Sequence, residues 1–97
     1  MDRNIDTATD GELLELLGSR LRALRKARKL TVTEVARLAE LNRTTVHRAE
    51  AGDNPTLLTL VRLLRVYGRV AELDRFLPPP EISPMELVRQ QRKQSHG

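Results

Sequence analysis

Residues 30–52, LTVTEVARLAELNRTTVHRAEAG, limit the fold more than any other stretch of the chain. Thr31 with Glu34 three residues on forms a capping box, in which a hydroxyl and a carboxylate each satisfy one unpaired backbone N–H at a helix start. Leu30 and Val35 stand where a hydrophobic staple closes the same entry. The spacing predicts a helix over Val32–Ala39. Asn42 is the next capping residue, with Leu41 and Val46 as a second staple, and Gly52 supplies a left-handed stop after Ala51. A second short helix is therefore predicted over 43–51. Val35, Ala36, Leu38 or Ala39, Leu41, Val46 and Ala49 suit the buried side, and Ala36 is small enough for the two helices to cross closely. Arg43, Thr44, Thr45, His47 and Arg48 suit the outward side.

The same signals extend in both directions. Thr9 and Glu12 form a capping box ahead of Leu13, Leu14, Leu17, Leu21 and Leu24, whose three-and-four spacing makes one apolar stripe. A first helix over 10–28 follows, with a kink or restart at Gly18 left open. Pro55 and Thr56 lead into LLTLVRLLRVY, where Leu57, Leu60, Val61 and Leu64 share a face and Gly68 ends the helix. A short fifth helix over 70–77 is expected to bury Val70, Leu73 and either Phe76 or Leu77, before Pro78, Pro79 and Pro80 stop it. Ser83, Pro84 and Glu86, with Ile82 stapled to Leu87, start one more helix. The polar, basic stretch 89–97 reads either as a frayed tail or as a segment that contacts a partner or DNA. The expected organisation is a flexible acidic N-terminus over 1–9, a helical domain over 10–77, and a Pro-rich linker, short helix and basic tail over 78–97.

Composition agrees with one small helical domain. The chain has 97 residues, 39% of them hydrophobic, enough for a modest core. Tyr67 and Phe76 are its aromatic residues, and the apolar set of Leu, Val and Ala favours helix-on-helix packing. The expected fold class is all-α. The absence of cysteine excludes a disulfide framework, a thiolate nucleophile and a Cys-based zinc site, and a reducing cytoplasm is the expected location. No apolar run approaches the roughly 18 residues of a membrane span. His47 lies on the outward face of the second short helix and His96 near the chain end, and neither has an accompanying ligand. With no converging acid and base pair and no Gly-rich phosphate loop, neither an enzyme nor a cofactor site is expected.

Charge is distributed unevenly. Asp2, Asp6, Asp10, Glu12 and Glu15 face only Arg3 within residues 1–17, a balance of −4 in a chain of net +4, so the remainder carries +8. Arg20, Arg22, Arg25, Lys26, Arg28 and Lys29 follow one another with no acid among them. Such a run is either a solvated helix face or a site for something anionic. Two short helices with an outward polar face favour the anion. In a helix-turn-helix the second helix enters the major groove and its early outward residues meet base edges. Arginine matches guanine O6 and N7, and threonine offers a methyl or a hydroxyl. RNA is disfavoured because stacking aromatics are scarce.

These segments, LGSRLRALRKARKLT, EVARLAELNRTTVHRAEAG and the Leu-rich helix after them, resemble the Cro and phage-repressor type of helix-turn-helix domain, the XRE family, over about residues 17–77. The resemblance implies a five-helix bundle, here with a short C-terminal helical extension. It implies operator contacts from Asn42, Arg43, Thr44, Thr45, His47 and Arg48, with Arg43, Thr44 and Arg48 at the main base-reading positions. It implies that Arg25 and Glu50 form a structural pair tying the first helix to the end of the third. Phosphate contacts are expected from Arg20, Arg22, Lys26, Thr31, Val32, Arg37, Asn42 and Asn54, with Val32 contributing only its backbone, because many members carry glutamine there. Glu40 stands at a turn position that is often glycine, which implies a left-handed residue or an altered turn. Asp53 replaces a basic residue, leaving Asn54 as the phosphate contact of that loop. The ending RFLPPPEISPMELVRQQRKQ is similar to that of small repressors encoded beside HipA-like kinase toxins. The expected function is a homodimeric, sequence-specific repressor of a palindromic double-stranded DNA operator, autoregulating its operon as a HipB-like antitoxin. The alternative is a protein-interaction module that mainly binds and neutralises a HipA-like toxin.

Overall fold

The computed structural model describes residues 4–95; the expectations placed on Asp2, Arg3 and His96 lie outside them. The fold is all-α: α1 (Asp10–Ala27), α2 (Val32–Ala39), α3 (Arg43–Glu50), α4 (Leu57–Val66), α5 (Leu73–Phe76) and α6 (Pro84–Ser95). Three-residue 3-10 turns precede α1 at Ile5–Thr7 and α5 at Val70–Glu72. The last helix runs beyond Val88 to Ser95, so most of the basic stretch that could have been a frayed tail is helical.

Side-chain caps set the helix starts. Both capping boxes are formed, Thr9 with Glu12 and Thr31 with Glu34. Asn42 Oδ1 accepts from the Thr44 N–H at 2.8 Å, Thr56 Oγ1 from the Thr59 N–H, and Ser83 Oγ from the Glu86 N–H. The first four helices all end in one device. Lys29, Glu40, Gly52 and Gly68 have φ of 56°, 55°, 77° and 67°. After each, an N–H reaches back to the last turn: Leu30 to the Arg25 carbonyl, Leu41 to Ala36, Asp53 to Arg48 and Arg69 to Leu64. This is the Schellman closure, which satisfies carbonyls that a helix end leaves unpaired. Glu40 is thus the left-handed residue of the α2–α3 turn, without a glycine to ease it.

The core is Leu21, Val35, Ala36, Ala39, Val46, Ala49, Leu63 and Tyr67. Between the two candidates on α2, Ala39 is buried and Leu38 is exposed. Gly18 does not interrupt α1, which continues through it. Its role is close approach: a Cβ there would stand 2.5 Å from the Glu50 carbonyl oxygen, so α1 crosses the end of α3 backbone to backbone.

Two sequence expectations are corrected here. On α4 the buried residues are Thr59 and Leu63, with Tyr67 following, while Leu57 is 81% exposed. The helix is apolar on more than one side, and α2 and α3 take the face that carries Leu63 because it can also bury the aromatic ring of Tyr67. Around α5, Val70 and Leu73 are half-buried, but neither Phe76 nor Leu77 is buried; the chain leaves the bundle there, and Phe76 stands at the surface near Leu17 and Leu24 of α1.

Candidate nucleic-acid interface

The two short helices are held as a unit from the back. Arg25 Nε donates to Glu50 Oε2 at 2.7 Å, Nη2 to Glu50 Oε1 at 3.1 Å, and Nη1 to the Leu30 carbonyl at 3.0 Å. This largely buried fork locks the end of α3 to α1 and to the entry of α2. The hydrogen bond to Glu50 raises the Arg25 pKa further, against the opposing effect of burial, so the guanidinium stays charged. Arg62 Nη1 donates to the Glu40 carbonyl at 3.1 Å, and Arg28 Nη2 to the Tyr67 carbonyl at 2.8 Å. Sequence reading missed both ties, because a long-range side-chain to carbonyl bond leaves no local pattern.

With its inner face fixed by Val46 and Ala49, α3 exposes Arg43, Thr44, His47 and Arg48, and Thr45 is half-buried at its edge. Asn42 is exposed, but its side-chain oxygen is engaged in the cap, leaving the amide NH2 to donate outward. Arg48 Nε donates to Asp53 Oδ2 at 2.8 Å, a partner that sequence reading did not assign. The signal lay in the left-handed Gly52, which folds residue 53 back onto the last turn of α3. Both Nη atoms of Arg48 keep their protons for a ligand. Thr45, Arg48, Asp53, Asn54 and Thr56 together line a concavity of about 300 Å³, and Asn54 is itself left-handed at φ 40°.

On α2 the Thr31 hydroxyl and the Glu34 carboxylate are committed to capping. The Thr31 backbone N–H holds the Glu34 carboxyl below the usual carboxylate range. Only the Val32 and Thr33 N–H groups of the first turn remain available, and Val32 turns its side chain toward the core. Arg37 is exposed.

The basic run on α1 is divided by the helical rotation. Gly18, Leu21 and Arg25 face α3 and the core, and at 100° per residue Arg22 and Lys26 flank that face. Arg20 falls on roughly the opposite side, among Leu17, Leu24 and Phe76. The structure therefore does not bring Arg20 to the α3 side.

A largely buried fork thus stands behind a helix that displays only polar side chains at its outer face. A family model for the helix-turn-helix domain matches residues 16–76. The chain belongs to the helix-turn-helix domain family. The match spans α2, the turn and α3, together with most of α1, α4 and α5, and agrees with the Cro and phage-repressor resemblance. The linker and α6 lie outside it. No curated protein matches the chain. Among the described residues of this helix-turn-helix protein, no helix is long and apolar enough to cross a membrane, and no group of three His, Cys, Asp or Glu residues could hold a metal ion.

Proposed function

We infer that this helix-turn-helix protein is a sequence-specific repressor that binds a palindromic operator as a homodimer. The observation that carries the reading is α3 itself, capped at Asn42, fixed by Arg25 and Glu50, and exposing Arg43, Thr44, His47 and Arg48. Two copies placed about 34 Å apart would enter successive major grooves on one face of the duplex, and one such helix covers too few bases to be selective alone. Arg43, Thr44, Thr45, His47 and Arg48 read base edges. Arg22, Lys26, Arg37, Asn42, Asn54 and the uncommitted N–H groups of Val32 and Thr33, beside Thr31 at the start of α2, contact phosphates. Asp53 is a positioning residue that aims the Arg48 guanidinium. Repression follows from occlusion of the promoter. The similarity of the chain's ending to repressors encoded beside HipA-like toxins supports autoregulation as an antitoxin in the cytoplasm, with such a kinase as a further partner.

The test is a gel-shift and footprint titration of the full chain on its own upstream DNA, at two salt concentrations and with random DNA as competitor. A pair of protected half-sites that survives competition is the expected result. Binding erased by salt, with no footprint, would overturn the reading.

A further inference from the structure

The family domain leaves two apolar surfaces of the same chain unpaired. One is a groove of about 590 Å³ on the side of α1 away from α3, walled by Leu17, Leu24, Leu60, Leu64, Leu73 and Phe76. Leu60 and Leu64 of α4 and the Phe76 ring of α5 meet here, and Leu17 and Phe76 are 44% and 68% exposed. The other is the first half of α6, where Met85, Leu87 and Val88 are all exposed and none lines the groove.

We propose that α6 of a second copy of this chain fills the groove, and that the exchange is reciprocal, so that it forms the dimer; this rests on the homodimer reading above. Three observations commit the groove to a second copy. First, the prolines at 78–80 extend the chain at about 3.1 Å per residue directly after Phe76 at the groove wall, so a return to the same groove needs a reversal within residues 81–83. Second, the chain is drawn out accordingly: its radius of gyration is 17.6 Å and its longest extent 50 Å, against about 13 Å for the radius of a compact domain of about 100 residues. Third, one complementary charge pair is available. Arg20 lines the groove without a partner among the described residues, beside the Arg69–Glu72 pair, and α6 carries Glu86 next to its apolar residues. Both halves of the contact reside on one chain, so two chains close it with two-fold symmetry and leave neither surface exposed.

The chain lacks cysteine, so introduced thiols report unambiguously. The experiment measures the solution mass of the full chain and of the variants Val88→Asp and Phe76→Asp, both at exposed positions where the bundle does not depend on the side chain. It also oxidises an equimolar mixture of Phe76→Cys and Val88→Cys chains. The expected result is a wild-type dimer of twice 11.0 kDa, loss of that dimer in both aspartate variants, and a disulfide joining the two different cysteine variants. A dimer that survives both aspartates without the cross-link overturns the exchange and leaves the homodimer reading standing. A monomeric wild type overturns both. A disulfide within one chain of the double cysteine variant, in a monomer, shows that α6 folds back on its own groove and overturns the exchange. A monomer with no cross-link in either form likewise overturns the exchange.

Discussion

Arg48 joins a hydrogen bond inside the protein to two unoccupied donors outside it, and that division sets what its loss should do. Replacement by alanine is expected to relax sequence preference at one operator position by roughly 1 to 3 kcal/mol, measured as binding to a panel of singly altered sites. Asp53→Ala should relax the same position by less, while raising affinity for all sequences because an anion leaves the interface. A change at a different position would separate Asp53 from Arg48. Tyr67 makes a second residue-scale prediction. Burial, reinforced by the Glu50 charge and opposed by Arg25, pushes its phenol up to about 12, from an ordinary value of about 10. The folded state therefore favours the neutral ring. The resulting stability is intact below about pH 10 and is lost as pH rises toward 12, up to about 3 kcal/mol. Phenolate absorbance of this sole tyrosine follows the titration directly. Its buried hydroxyl has no hydrogen-bond partner among the described residues, so Tyr67→Phe should be neutral or stabilising at pH 7 and should move alkaline unfolding upward. Ordinary titration near pH 10 in folded protein would contradict this account.

Helix ends and crossings are set by single backbone positions at the scale of the element. Four helices share one left-handed closure, but only two have glycine there. Glu40→Gly should stabilise the fold by about 1 kcal/mol by removing the Cβ penalty, raising Tm by about 4 to 8 °C in a thermal melt. Gly18→Ala should do the opposite. Its new Cβ meets the backbone of Glu50 and Ala49, which cannot rotate aside as a side chain would. The loss should reach or exceed the 1 to 3 kcal/mol usual for overpacking. Because α3 would be displaced from α1, DNA affinity should fall with it. Helix propensity alone predicts a gain for the same substitution, so one melt separates the two accounts.

For the whole molecule the deciding quantity is how charge is arranged around the bundle. Net charge is +4, yet the rotation of α1 sends Arg20 to the apolar groove while Arg22 and Lys26 flank the face that meets α3. Arg22→Ala and Lys26→Ala should each weaken binding to all sequences alike and lower the salt slope by about 1. Arg20→Ala should leave that slope unchanged. The comparison is a set of binding titrations across salt concentrations, and equal slopes for all three would return Arg20 to the DNA side.

Local chemistry wrote much of this protein into its sequence. Caps act over three residues and Schellman closures over six, so Thr9, Thr31, Asn42, Thr56, Ser83, Gly52 and Gly68 marked the helix limits without reference to any distant contact. The outward side of α3 was legible for the same reason, since Val46 and Ala49 leave only polar residues opposite. Tertiary structure decided what periodicity left degenerate. An apolar residue on α4 can face the core or a surface groove, and only the fit against α2 and α3 chose Leu63 and Tyr67 over Leu57. Gly18 could have been a kink, and only the approach of the Glu50 carbonyl made it a contact. Arg20 and Arg22 are near neighbours in sequence with the same charge, and only the docking of α1 set them on different sides. A local signal is fixed by bonds within one turn, whereas the choice between two apolar or two basic faces depends on surfaces that the chain brings together only when it folds.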